Sequence, residues 1–205
     1  MIKLKQLLQV IRAARQPEKT YLGDLAVLKA DALGASVNPE VAQQLEPVAG
    51  YHPSIDLDAL LKLPQGTFGH EYARHMRNNR LQPFNISPAV ETIAKRNVFA
   101  LRYAVTHDMF HVLLGFDTSY AGEMGVLAFA VAQNYSRSQK IGYWIATVLY
   151  PTLAPRQFRE IFASRHYGRA LGQQAEFLLG YRFEDKWVKP SNQIRKELGI
   201  SHFST

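Results

Sequence analysis

The sequence predicts an all-α fold: one helical domain over residues 1–205, with a long central helix and an antiparallel helical hairpin. Three observations lead there. Apolar residues recur three and four apart through most of the chain, the spacing of one helix face. Clear period-two runs joined by Asn-Gly-type turns are absent. An apolar content of 47% with 20% charged residues supplies a core and argues against disorder.

The elements follow in order. Residues 1–20 begin "MIKLKQLLQVIRAAR", with Leu4, Leu7, Leu8 and Ile11 at helical spacing beside Lys3, Lys5, Arg12 and Arg15. This reads as a basic amphipathic helix, packed on the domain or laid against anionic lipid or a partner. An Ala/Leu-rich helical region spans Gly23 to Leu45, closed by "NPEVAQQL". "LPQGTFGHEYARHM" reads as loop then helix, with Thr67 as the N-cap. The central helix is expected from the Ser87 cap and Pro88 to Gly115, a natural stop. The next starts near Asp117–Ser119 and covers "AGEMGVLAFAVAQNY"; others are expected at 140–149, 155–180 and 183–198.

Composition narrows the function classes. With no Cys, disulfides, thiolate catalysis and sulfur-ligated metals are excluded, so a metal must be held by nitrogen and oxygen. No run approaches the ~18 apolar residues of a membrane span. The longest, "IGYWIATVLY" (Ile141–Tyr150), is closed by Pro151 and reads as a buried helix, a tunnel mouth or a membrane-facing patch. A net charge of +7 favours anionic partners, but no clustered basic stripe or recognition motif points to nucleic acid. The N-terminus shows no secretory segment. The expectation from composition is a cytoplasmic protein that could touch a membrane surface.

The chemistry concentrates in "THDMFHVLLGFDTSYAGE". His107 and His111 are four apart and share a helix face, with Asp108 three before His111. Glu123 follows a turn and can meet the imidazoles across a helix–helix contact. Two imidazoles and two carboxylates suit Zn, Fe(II), Mn or Ni better than Ca, and are expected to bind a divalent metal: iron or zinc, with magnesium admissible. His107, Asp108, His111 and Glu123 are thus the candidate ligands and catalytic residues. Arg102, a turn earlier, could hold a carboxylate bidentately. Tyr103, Phe110, Leu114, Leu127, Tyr143 and Trp144 are core candidates or, with Arg102, the lining of a substrate site. His70 and His75 are five apart, a poor spacing for one helix face, and read as ordinary helix residues, as do His52 and His166.

The four-part pattern His-Asp-x-x-His, eleven residues, Glu resembles the signature of the ubiquinone-biosynthesis family named coenzyme Q protein four. "LPQGTFGHEYARHM", "RYAVTHDMFHVLLGFDTSYAGE" and "HYGRALGQQAEFLLGYRFEDKW…IRKELGI" are similar to that family's segments, over roughly residues 60–200. With no mitochondrial leader evident, a bacterial-type member is expected. The resemblance implies an all-α fold, a divalent metal on the motif and a hydrophobic tunnel for a prenyl tail. It also implies a prenylated hydroxybenzoate-type substrate at the inner membrane face, oxidative decarboxylation at ring carbon one, and contact with other quinone-biosynthesis proteins. A homodimer is expected. In this reading Asp108 is either a fourth ligand or the group that orients a ligating His. Alternatives are a non-catalytic prenyl-lipid scaffold and a His-Asp phosphohydrolase that would recruit His70 or His75 and Asp185.

Overall fold

The computed structural model describes residues 37–200 together with Asp24, Val27, Leu28 and Asp31. The expected helix over residues 1–20 lies outside the described residues. Nine α-helices are described from residue 37 on. They are α1 Pro39–Ala42, α2 Leu57–Leu61, α3 Phe68–Asn78, α4 Glu91–Arg96, α5 Val98–Leu114, α6 Tyr120–Ala132, α7 Arg137–Leu153, α8 Phe158–Gln174 and α9 Ser191–Glu197. Among the described residues the only β pairing is two isolated bridges, Val37–Ser136 and Thr67–Pro190. The fold is all-α.

The main core gathers Phe68, Tyr72 and Met76 of α3, Phe110 and Leu113 of α5, Phe129 of α6, and Phe183. A smaller cluster joins α6, α7 and α8 through Met124, Ala128, Tyr143, Ala146 and Ile161. The α6–α8 seam is very close. A Cβ on Gly168 would stand 2.1 Å from the Gly125 carbonyl oxygen, and one on Gly172 2.6 Å from that of Phe129. Only a hydrogen fits there, so these glycines set how near the two backbones lie.

Local chemistry explains the element ends. Thr67 caps α3 by accepting from the His70 N–H at 3.4 Å. Ser119 caps α6 by accepting from the Gly122 N–H at 3.2 Å. Gly115 ends α5 in the left-handed conformation at φ 76°, where a Cβ is disfavoured. Arg195 of α9 donates to the Val112 and Leu113 carbonyls, both at 2.9 Å. It thereby satisfies two acceptors at the negative end of α5.

Four element expectations need correction. The helix expected from Ser87 to Gly115 is a 3-10 turn, α4 and α5, broken at Asn97. The Asn97 side chain accepts from the Ala100 N–H at 3.1 Å and caps α5; a short amide favours that role over continuing a helix. The helix expected at 140–149 runs over Arg137–Leu153; Pro151 lies in its last turn and removes one donor without stopping it. The segment expected helical over 155–180 ends at Gln174, where the Gln133 amide donates to the Gly172 carbonyl at 2.8 Å and to that of Ala175 at 3.1 Å. Residues 183–198 are a 3-10 turn and α9, not one helix. Between them the Trp187 and Lys189 carbonyls accept from Gly69 and Phe68 at 2.9 and 2.8 Å, and Pro190 keeps Lys189 out of the helical region.

Candidate metal centre

α5 carries His107 and His111 one turn apart, with ring centroids 4.9 Å apart. The Gly115 turn then reverses the chain, and the Ser119 cap starts α6 with Glu123 in its first turn. The Glu123 carboxylate reaches both rings: Oε2 lies 3.4 Å from His107 Nε2, and Oε1 3.4 Å from His111 Nε2. One donor atom from each of His107, His111 and Glu123 falls within 4.8 Å of the others. Ligands about 2.0–2.2 Å from a shared ion stand at most about 4.4 Å apart; the two 3.4 Å His–Glu contacts lie inside that limit, and a small closing of the group would seat a divalent ion.

The other ring nitrogens are assigned. His111 Nδ1 lies 3.2 Å from the Phe116 carbonyl. With the proton placed there, Nε2 is left as the free lone pair. That Nε2 is shut off from water and makes no well-directed hydrogen bond, with the Glu123 carboxylate 3.4 Å away as its polar neighbour; a cation shared between the two would satisfy both. The turn that creates this contact also ties Gly115 and Phe116 N–H to the His111 carbonyl at 3.0 and 3.1 Å. On His107, Nδ1 faces Asp108 Oδ1 at 3.5 Å.

Asp108 is therefore placed behind His107 and outside the converging group, which corrects its expected place among the ligands; the orienting role matches its position. Burial by itself would lower the His107 imidazole, but Asp108 and Glu123 outweigh it and push it up to about 9. Burial would raise the Glu123 carboxyl, yet the two imidazoles hold it down at about 2. Without metal the group is an ion pair.

The remaining expected residues divide. Tyr103 packs edge-on to His107 at 5.8 Å; burial first, then the Glu123 charge, raise its phenol well above the ordinary range. Leu127 is half-buried beside Tyr143 and the α6–α8 cluster. Phe110 and Leu114 are closed into the core and present no surface to a ligand, the core reading of the two offered for them. Trp144 points outward and is 63% exposed, so it neither lines an interior site nor belongs to a buried helix.

Arg102 is also corrected. It is fully buried and donates to both Glu184 oxygens at 2.5 and 3.0 Å, and to the Leu179 and Tyr181 carbonyls at 3.2 and 2.5 Å. It holds the 179–184 segment in place and does not hold a substrate anion. Asp185 accepts from the Tyr51 hydroxyl at 2.6 Å and is not part of the His107–His111–Glu123 group.

Sequence reasoning missed His75. Its ring stacks on His111 at 5.9 Å and 21°, and its Nε2 is buried without a partner. Burial, then the neighbouring His111, lower its pKa. Both histidines border a polar cavity of about 550 Å³ with Glu71, Arg74, Asp117 and Arg195. His75 comes from α3, so no spacing along α5 could have indicated it.

Comparison with known proteins decides the family. The family model described as Coenzyme Q (ubiquinone) biosynthesis protein Coq4 matches residues 51–204, and the curated relatives agree. The chain belongs to the Coq4 family. The mitochondrial COQ4 homologues of Rattus norvegicus and Homo sapiens are each 30% identical over 168 residues. Those matches cover 80% of this chain and 62% of each relative, so the chain spans about three-fifths of their length. The Nematostella vectensis homologue is 32% identical, with 72% of each chain covered. A crystal structure from Nostoc punctiforme, provisionally assigned to ubiquinone biosynthesis, is 26% identical. It superposes with a TM-score of 0.65 over 97% of both chains. The Coq4 match includes the whole hairpin that carries His107, His111 and Glu123.

Proposed function

We propose that this chain is a metal-dependent enzyme of ubiquinone biosynthesis. It acts on a prenylated hydroxybenzoate-type precursor by oxidative decarboxylation at ring carbon one: dioxygen gives one oxygen atom to the ring as a hydroxyl, the carboxyl leaves as carbon dioxide, and a two-electron reductant takes the second oxygen atom to water. The observation that carries this is the convergence of the buried His111 Nε2, which lacks a well-directed hydrogen bond, with His107 and Glu123 in a Coq4 family member. His107, His111 and Glu123 would hold a divalent ion. Iron suits the chemistry because it supplies electron transfer toward dioxygen; zinc or magnesium would only polarise an oxygen.

The chain's own groups have defined tasks. Asp108 and the Phe116 carbonyl fix the two imidazoles so that each offers Nε2. His107, Asp108 and Glu123 keep 30, 26 and 35% of their side-chain surface, while His111 keeps none. A ligand would therefore approach from the His107–Glu123 side. The Tyr103 phenol, held neutral beside His107, offers a hydrogen-bond donor to an oxygen on the substrate ring. An apolar tunnel would take the prenyl tail, with Leu127 and Tyr143 contributing wall. A membrane-surface contact, a homodimer and association with other quinone-biosynthesis proteins belong to the same reading.

Turnover of a prenylated 4-hydroxybenzoate precursor, measured with and without reconstituted iron, tests the proposal. Wild type with iron should release carbon dioxide and form the ring hydroxyl; His111→Ala and Glu123→Ala should bind no stoichiometric metal and lose turnover by at least about a hundredfold. A fully active His111→Ala would end the metal-centre reading. Metal and lipid binding without turnover would leave the scaffold.

A further inference from the structure

α7 buries one face and, among the described residues, no other element packs on its opposite face. Tyr143 and Ala146 pack inward. Ile141, Trp144, Ile145, Val148 and Leu149 stand outward at helical spacing, with Val148 71% exposed. Phe158 and Phe162 of α8 are also exposed, and their rings touch at 5.0 Å. Arg165 joins the two helices: its Nε donates to the Tyr143 hydroxyl at 2.7 Å, and its guanidinium lies 5.8 Å from the Phe162 ring centroid. Tyr143 in turn packs edge-on to Trp144 at 5.5 Å. Phe162 and Trp144 are thus linked across α7 and α8.

Basic residues outnumber acids along α7, the turn that follows it and α8. From 137 to 169 the sequence holds six basic residues, Arg137, Lys140, Arg156, Arg159, Arg165 and Arg169, against a single acid, Glu160. Lys140 and Arg169 flank Trp144 and Tyr143 in a cleft of about 450 Å³. Exposed aliphatics and a Trp beside cations, with almost no acids, match the boundary of a bilayer with anionic headgroups. A second copy of the chain fits poorly, because a twofold contact through this face would bring two like-charged sets together. Among the described residues no helix is long and apolar enough to cross a membrane, so the surface would lie on a bilayer.

The geometry points to the α7–α8 face as a docking surface for anionic phospholipid membranes, with Ile145 and Val148 entering the interface and the basic residues meeting lipid phosphates. This deepens the membrane contact proposed above but rests on the surface itself. Vesicle binding is read without turnover, so either idea can fail alone.

The test is co-sedimentation of the full chain with vesicles of phosphatidylcholine, with and without phosphatidylglycerol. It is paired with Trp emission of wild type and Trp144→Phe, and with light scattering for oligomeric state. Binding should need phosphatidylglycerol and weaken with salt. A blue shift on binding should be lost in Trp144→Phe. Ile145→Gln/Val148→Gln should reduce binding at least roughly tenfold, and Arg156→Gln/Arg159→Gln likewise, with helicity and metal content unchanged. Vesicle binding that these variants leave intact would overturn the assignment. So would an absence of binding, or a dimer that Ile145→Gln/Val148→Gln splits into monomers.

Discussion

His107 sits between two carboxylates, and that position sets the pH behaviour of the metal-free protein. Its folded pKa is raised from 6.5 to about 9, so its contribution to stability is fully present below 6.5 and lost as pH rises through 9. Glu123 is lowered from 4.5 to about 2, so its contribution is present above 4.5 and lost as pH falls through 2. The pair therefore supports the metal-free fold most between pH 4.5 and 6.5. Melting temperatures across pH should show an alkaline decline that His107→Gln lacks; identical profiles would refute the assignment. A bound ion needs the neutral imidazole, so metal affinity should climb with pH, about tenfold per unit, until near 9. Competition with a fluorescent chelator measures that slope.

Arg102 supplies a second prediction at this scale. Both ends of its pair with Glu184 are buried, at 0 and 1% side-chain exposure. Arg102→Met strands a carboxylate and should lower the unfolding free energy by about 3–5 kcal/mol. Adding Glu184→Met should recover much of that loss in urea titrations. A single-variant loss below about 1 kcal/mol would mean that the segment holds without the pair.

At the scale of elements, the α6–α8 seam positions Glu123. Gly168→Ala should destabilise the fold by about 1–3 kcal/mol, because the new methyl meets the Gly125 backbone and must push the helices apart. Metal affinity should fall with it, since α6 carries Glu123. A methyl added at Gly142 of α7 would meet nothing within 4 Å, so Gly142→Ala should be neutral or stabilise by up to about 1 kcal/mol. Thermal melts and metal titrations of the two variants provide the contrast.

The same scale separates what the sequence revealed from what it hid. His107, His111 and Glu123 were legible because two share one helical face and the third follows one capped turn. Arg102 was misread because its partner Glu184 is 82 residues away. His75 was missed for the same kind of reason: its neighbour lies on another helix, and only packing brings them together. The break at Asn97 was hidden because an apolar pattern runs through it while a single amide decides the boundary.

At the scale of the whole molecule, the site and the outward face of α7 connect through α6. The candidate ligands His107, His111 and Glu123 lie on α5 and on the first turn of α6, and α6 packs against both α7 and α8 through Met124, Ala128 and their neighbours. The proposed metal site and the proposed membrane face would thus share one helix. Ligand binding should stabilise the native state by mass action. The melting temperature should rise with iron or zinc concentration in wild type and stay constant in Glu123→Ala.

The spacing of the ligands has a kinetic consequence. All three lie between residues 107 and 123, so closing the chain around an ion costs little loop entropy compared with joining distant segments. The hairpin can therefore capture its ion before the Arg102–Glu184 contact, which must close a much longer loop. Stopped-flow refolding should be faster in the presence of metal, and Arg102→Met should chiefly accelerate unfolding. The cofactor would then serve as a folding nucleus as well as a reagent.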